Sequence, residues 1–588
     1  MPHFCALVDS HPDHHASFRA ALPQLFADLR ETPVFVAAGN LLLAHNARET
    51  LPRHIFPGAD LFSFHCTNNA HFPAAARAGS TSYSGDDLTY GASFHYCSTS
   101  STLSAETERL GIFPLYYWGD SERAMLATSP SLFAAHPAFR RQLDWEALAQ
   151  ILLFTYPVDN RTLWQGVRRA PQSSRLHWRA GQGWDVEKIS WPEPSWYFRS
   201  APEAAEALLP PLRAAMDVAP AQPVVQLLSG GLDSRLLTGL LADRYGHDFS
   251  ALTFGDEADQ EYQIAHAVAR SLGIPHRRLA YHEDLFTAGF QLQIANCQGA
   301  QGLTSAGNWI LRLLGEPDHA ALSTGVVADH FLSTSYRAAS WLPGEQKTDR
   351  AHLLASRRLY GLPKPTVKAL LRHPSSEDLV EAAEAAYLAF HDQTEGSGYH
   401  QLRLFSWHTR PRHHLGKEAW RFASSGTLHV PFLAAPVLNQ FLHLPHELLA
   451  SREVEYHLVN HYFPKLARLP LDRNSLFIRP TLVDGLPRKA YWAVRQRLYI
   501  RQHLRKLQSG QDPRTPYRIT SVNHFPGWLR IRELARAAAP AVADIFSPDA
   551  IDTALPAAPT PIPQGDAIEG SAGPKTLMGL LLCLARYR

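Results

Sequence analysis

Residues 229–234 read Ser-Gly-Gly-Leu-Asp-Ser, between the apolar run PVVQLL and a stretch with leucines at 236, 237, 240 and 241. A loop that leaves a strand and enters a helix aims several backbone N–H groups at the positive end of the helix dipole, where a phosphate binds readily. Gly230 and Gly231 let the backbone approach such an anion and adopt positive φ. Ser229 and Ser234 add hydroxyl donors. Asp233 would repel a phosphate, but it suits a ligand for the Mg2+ that accompanies a polyphosphate. The loop has no lysine and is not the GxxxxGK[ST] loop of γ-phosphate transfer. A bare Ser-Gly-Gly is also a strand–turn–helix corner; the Leu-Asp-Ser behind it favours the phosphate reading.

The elements around the loop must hold it in place. PVVQLLS, FSALTFG and HRRLAY read as three strands, separated by two amphipathic helices that stop near Gly246 and Gly273. Strand–helix–strand–helix–strand at this spacing implies a parallel sheet covered by helices, with its ligand beyond the C-terminal strand ends. Leu228, Thr253 and Gly325 flank predicted strand ends and are further candidates for nucleotide contacts. Asp259 and Glu261 follow the second strand; they orient ribose or substrate, or they are a solvated helix N-terminus.

Residues 1–200 differ in rhythm: PVFVAAG, LLLAH, GIFPLYYWG and SSRLHW are short segments with turn signals, which predicts a β-rich domain. The Pro/Ser-rich WPEPSWYFRSAPEAAE marks a boundary, so 201–536 forms the second domain, helical from about 350. Residues 537–588 read as a loose Ala/Pro-rich linker to about 572, then a short apolar helix. The expected class is α/β.

The chain has 588 residues, 45% of them hydrophobic and 19% charged, with a formal charge of +2. That balance gives no reason to expect nucleic-acid binding. The apolar runs are shorter than the roughly 20 residues of a membrane span, and the first residues lack a secretory signal, so a cytoplasmic location is expected. The five cysteines are scattered without a CxxC pair, which fits a reducing compartment. Histidine clusters at 11–15 and 410–414 are irregularly spaced, and they read as surface or core histidines before metal ligands.

LLSGGLDSRL resembles the pyrophosphate loop of the asparagine synthetase family of ATP pyrophosphatases. The likeness extends to RLGIFPLYYWGDSERAMLATSPSLFAAHPAFRRQLDWEALAQILL (109–153), TLWQGVRRAPQSSRLHW, LSTGVVADHF (322–331) and VPFLAAPVLNQFLHLPHELL, covering roughly 100–480. The resemblance implies an N-terminal Ntn-hydrolase-like αββα domain and a C-terminal doubly wound ATP-pyrophosphatase domain with helical additions. It implies ATP and Mg2+ as cofactors: AMP passes to a carboxylate, pyrophosphate leaves, and an amine attacks the acyl-adenylate. Asp329 stands at the family's second metal aspartate, which makes Asp233 and Asp329 the expected metal pair. Lys465, Arg473 and Lys489 lie where the family keeps a cation near the leaving group.

Two departures from the family carry information. The family's glutaminase needs a terminal cysteine that supplies both thiol and amine, since nucleophile and base must lie within reach of each other. This chain starts Met-Pro-His-Phe, its first cysteine is Cys5, and it lacks Arg-Gly-Pro-Asp and Asn-Gly-Glu, so residues 1–200 are expected to be a scaffold. In the second acidic loop, usually Gly-Glu-Gly-Ser-Asp-Glu, Val326 replaces the first glutamate and His330 the last. A valine cannot hydrogen-bond an ammonium ion, so the amine is expected to belong to a larger substrate.

Family members without a glutaminase close rings from within one molecule, where tethering supplies effective concentration. The chain looks most like a lasso peptide cyclase, a macrolactam synthetase; that likeness implies a precursor core peptide, a leader-recognition protein and a leader peptidase as partners. The alternatives are a β-lactam-synthetase-type cyclase, whose relatives use a Tyr–Glu pair, an ammonia-using asparagine synthetase, and a silent binding scaffold.

Overall fold

A computed structural model describes residues 3–46, 53–57, 60–67, 90–217, 222–257, 259–299, 309–315, 320–333, 340–358, 360–472, 479–508, 522–523, 525–557 and 569–588. The first part holds two six-stranded antiparallel sheets. One runs Arg168–Arg169, Tyr116–Gly119, Ala124–Ala127, Phe4–Val8, Leu41–Asn46, Pro33–Ala38; the other runs Gly183–Lys188, Ser174–Arg179, Thr102–Thr107, Gly91–Cys97, Leu61–Thr67, Arg53–Pro57. They pack through aromatic contacts such as Phe4 on Phe64, with ring centres 4.9 Å apart. Helix Pro12–Asp28 covers the first sheet with the fully buried Phe18, Leu22 and Phe26. Cys5 is fully buried in the strand Phe4–Val8, and burial pushes its thiol well above its ordinary pKa.

The second part is built on a five-stranded parallel sheet in the order His276–Leu279, Ser250–Phe254, Val224–Leu227, Ala321–Ser323, Thr427–His429. In chain order this is 3-2-1-4-5, so the direction of winding reverses between Val224–Leu227 and Ala321–Ser323. The class and parallel topology agree with the sequence expectation. The leucine spacing after the loop forms helix Leu232–Tyr245, with Leu236, Leu237, Leu240 and Leu241 at most 1% exposed. Helix Gln260–Leu272 buries Ile264, Ala265, Val268 and Ala269 and ends at Gly273, where φ is 67°. That left-handed residue stops the helix without the Cβ penalty.

The two parts are tied by buried polar groups. Arg169 donates to the carbonyls of Gly111 (2.8 Å) and Arg412 (3.2 Å). Arg412 donates to Gln172 Oε1 (2.9 Å), and His413 stacks on Tyr156 at 4.7 Å. The 410–414 cluster is thus part of the interface between the two parts.

The C-terminal stretch departs from its expectation. Residues 539–555, read as loose linker, include the helix Pro548–Ala554 and bury Val542, Ile545, Phe546, Ile551 and Leu555, none more than 2% exposed. Their apolar spacing outweighs the Ala/Pro composition; residues 558–568 lie outside the described residues. Helix Glu569–Tyr587 has Leu577, Met578, Leu580, Leu581 and Cys583 fully buried. From residue 577 to 585 the helix is apolar all round, and such a stretch belongs inside a core. No helix among the described residues is long and apolar enough to cross a membrane.

Candidate active site

Where a parallel sheet reverses its winding, the loops at the strand ends diverge and leave a crevice. Here those loops are Leu228–Gly231 and Thr324–Val327, and a cavity of about 380 Å³ lies between them. Its wall includes Leu228, Ser229, Asp233, Ser234, Thr253 and Gly325, six of the residues expected at a nucleotide. That size falls within the range of small-ligand sites.

The loop holds its own shape. The Ser229 N–H donates to Ser234 Oγ (3.1 Å), the two hydroxyls meet at 2.8 Å, and the Gly231 N–H donates to Ser229 Oγ (3.2 Å). The glycines are needed for space; the positive φ that the sequence reading also expected of them is not found. Gly231 is extended, with φ at −78°, and neither glycine takes a positive φ. A Cβ on Gly230 would lie 2.8 Å from Asp472 Cβ, and one on Gly325 would lie 3.2 Å from Asp233 Cβ. Thr253 Oγ1 donates to the Leu228 carbonyl at 2.6 Å, which fixes the start of the loop.

Residues 466–472 are pinned against this loop. Arg235, fully buried on the loop helix, donates to the carbonyls of Leu466 and Leu469 (3.0 Å each) and of Pro470. The Asp472 N–H donates to the Gly230 carbonyl at 3.0 Å.

Asp233 and Asp329 come together as expected, but through a residue the sequence reading missed. Arg452 Nη2 lies 3.4 Å from Asp233 Oδ1, and Nη1 lies 3.2 Å from Asp329 Oδ1. Nη2 also lies 2.7 Å from Oε2 of Glu455, which is fully buried. Arg452 is held in the left-handed region, with φ at 57°. Burial pushes the Asp233 pKa well up, helped by the nearby Glu455 carboxylate. At Asp329 burial acts the same way, but Arg452, His330, the Ser333 hydroxyl and Arg410 together outweigh it and hold the carboxyl below its ordinary range. Burial alone would lower the Arg452 pKa; Glu455, Asp233 and Asp329 raise it above the ordinary arginine range. Two carboxylates that converge on one cation, from the first turns of helices Leu232–Tyr245 and Ala328–Leu332 on either side of the crevice, are a donor set that fits Mg2+.

Arg452 could not be singled out in a segment, LASREVEYH, with no motif of its own. Of the cations that were singled out, Lys465 and Lys489 are exposed and absent from the cavity wall. Arg473 lies outside the described residues.

Val326 lines the cavity. Val327 stands where the family pattern has glycine and takes φ 76°, a conformation unfavourable for a β-branched residue. Its side chain is 2% exposed, so packing holds the strained backbone. The cavity also reaches Phe254, Tyr281, Glu261, Glu418 and Phe422, of which only Glu261 was anticipated. Burial pushes the Glu261 carboxyl up to about 8, with Asp472 and Asp259 adding to it. Burial and the Glu261 charge likewise raise the Tyr281 hydroxyl. Asp259 is a helix N-cap and accepts from the Asp256 N–H at 2.7 Å.

Another polar cluster, near residues 11–15, does not suit a metal. Asp9, His14 and His136 bring ligand atoms within 4.8 Å of one another. However, the Ala138 N–H donates to His136 Nδ1 (3.1 Å), so Nε2 carries the proton it donates to Asp9 Oδ2 (3.0 Å). A metal on Nε2 would need Nδ1 protonated instead.

No curated protein matches the chain. Residues 212–466, which take in the Ser-Gly-Gly loop, both aspartates and Arg452, match the family model described as Asparagine synthase.

Proposed function

We propose that this chain is an ATP-dependent macrolactam synthetase of the lasso peptide cyclase type. In this reading an Asp or Glu side chain of a leader-cleaved precursor peptide attacks the α-phosphorus of ATP. The P–O bond to pyrophosphate breaks, and an acyl-adenylate forms. The N-terminal amine of the same peptide then attacks the acyl carbon, the C–O bond to AMP breaks, an amide closes the ring, and a proton is released. A leader-recognition protein and a leader peptidase would supply the free amine.

The observation that carries this reading is the crevice itself, with Asp233 and Asp329 converging beside the Ser229–Ser234 loop and Val326 in the wall. Backbone N–H groups of the loop and of the first turn of helix Leu232–Tyr245 would bind the phosphates. Asp233 and Asp329 would hold Mg2+, which when bound neutralises charge on the departing pyrophosphate. Arg452 would move from the carboxylates toward the phosphates and stabilise the same charge. Glu261, with a pKa near neutrality, is suited to take the proton of the attacking amine. Val326 offers free ammonia no hydrogen bond, which favours an amine delivered on the substrate.

A second reading, a β-lactam-synthetase-type cyclase acting on a small amino acid, draws support from Tyr281 and Glu261, a Tyr–Glu pair in the same cavity. One experiment separates the two. The protein is incubated with ATP, Mg2+ and a leader-free candidate precursor, with the protease partner added. Loss of one water from the peptide, with AMP and pyrophosphate released, supports the macrolactam reading. Pyrophosphate release that depends on a free amino acid, with the peptide unchanged, moves the assignment to the small substrate.

A further inference from the structure

Helix Leu486–Gln508 presents apolar residues on the side that faces water. Its inner face is formed by Trp492, Gln496, Tyr499 and Ile500, all partly buried. Tyr499 donates its hydroxyl to Gln260 Oε1. The opposite pole carries Tyr491, Val494 and Leu498, which are 54%, 57% and 53% exposed. At 3.6 residues per turn these three fall within an arc of about 60°. A surface helix ordinarily turns its apolar stripe inward and its polar face outward; this one is anchored on one side and apolar on the other.

The spacing i, i+3, i+7 is the a–d–a rhythm of a heptad. Counted from Tyr491 as a, Arg488 and Arg495 fall at e and Arg497 at g, the positions that choose a partner by charge. The helix contains no Asp or Glu. A second copy would set arginine against arginine at these flanks, which disfavours self-pairing. A lipid surface would gain little apolar burial, because the stripe runs only from Tyr491 to Leu498 before the exposed Arg501 and Arg505 take the next d and a positions. An opposing helix with carboxylates at those places would pair with every one of these cations.

We propose that Leu486–Gln508 is a docking helix for an amphipathic helical segment of a partner protein, apolar where it meets Tyr491, Val494 and Leu498 and carrying Asp or Glu at the flanks and opposite Arg501 and Arg505. The docking surface sits close to the phosphate loop: Gln260 Nε2 donates to Asp472 Oδ1 (3.3 Å), and the Asp472 N–H donates to Gly230 (3.0 Å). The inference does not depend on which reaction the crevice performs.

The test uses the full chain and two synthetic helical peptides of several heptads. Both have Leu where they meet Tyr491, Val494 and Leu498; one has Glu at e and g and opposite Arg501 and Arg505, the other Lys at those places. Fluorescence anisotropy should show binding of the Glu peptide and none of the Lys peptide. The R488E/R495E/R497E variant should invert that preference by about tenfold or more, as charge pairing across a helix interface does. Leu498→Ala should weaken the Glu peptide without changing the thermal melt, because the side chain is exposed. Failure of the Glu peptide to bind, or a preference that survives charge reversal, would overturn the proposal. So would binding to phosphatidylglycerol vesicles alone, or a wild-type dimer in sedimentation that the reversal abolishes.

Discussion

Nη1 of Arg452 lies 3.2 Å from Oδ1 of Asp329, and the same guanidinium spans to Asp233. A protein cation therefore sits where two carboxylates converge, and it must give way if a metal is to use them. Arg452→Ala should leave Asp233 and the buried Glu455 without their nearest counter-charge, at a cost of about 3 kcal/mol, as when one partner of a buried ion pair is removed. Added Mg2+ should restore more of the melting temperature in this variant than in the wild type, because nothing then competes for the site. A variant that Mg2+ stabilises no more than wild type would show that the pair is not a metal site.

Gly230→Ala should disable the loop through crowding. Its new Cβ would fall 2.8 Å from Asp472 Cβ, with the Asp472 N–H bound to the Gly230 carbonyl. Overpacking of this kind costs about 1–3 kcal/mol, so the chain should stay folded while the loop and residues 466–472 move apart. Pyrophosphate exchange with ATP should fall by about tenfold or more, as happens when oriented groups are displaced. Exchange at the wild-type rate would mean that the Gly230–Asp472 contact does not shape the site.

Val327→Gly makes a less obvious case. Relief of the left-handed strain is worth about 1–2 kcal/mol. Against it stand roughly 1.5–3 kcal/mol of lost burial and about 0.5–1 kcal/mol of glycine entropy. The balance predicts a loss of about 1.5 kcal/mol by urea denaturation, although glycine is the residue the backbone suits. A stabilised variant would mean that the packing around Val327 does not offset its strain.

The sheet and the phosphate loop were legible because their signals are local. Apolar runs ending at Ser-Gly-Gly, leucines on one helix face and a glycine stop need no knowledge of distant contacts. The C-terminal helix was legible as a helix, but its place in the core was not, because composition reports solvation and not neighbours. Arg452 was invisible for the same reason: it meets Asp233 across 219 residues, and only the fold creates that proximity. The positive φ expected at Gly230 is not found, and what excludes a side chain there, Asp472, comes from a different part of the chain.

Glu261 ties the site to pH. Burial, Asp472 and Asp259 raise its carboxyl from an ordinary 4.5 to about 8. The folded state therefore keeps a proton that the unfolded chain releases between these two values. Stability from this group is fully present below about pH 4.5 and declines as pH rises toward 8, the direction linkage requires when the native state binds more protons. Glu261→Gln keeps the shape of the group and removes the titration. Its advantage over wild type in urea melts should grow across that window and level off above pH 8. If Glu261 takes the proton from the attacking amine, wild-type amide formation should rise through about pH 8, and the glutamine variant should lose that rise. A stability difference that stays flat from pH 5 to pH 8 would show that Glu261 ionises normally, and the assignment of a proton-accepting role would lose its physical basis.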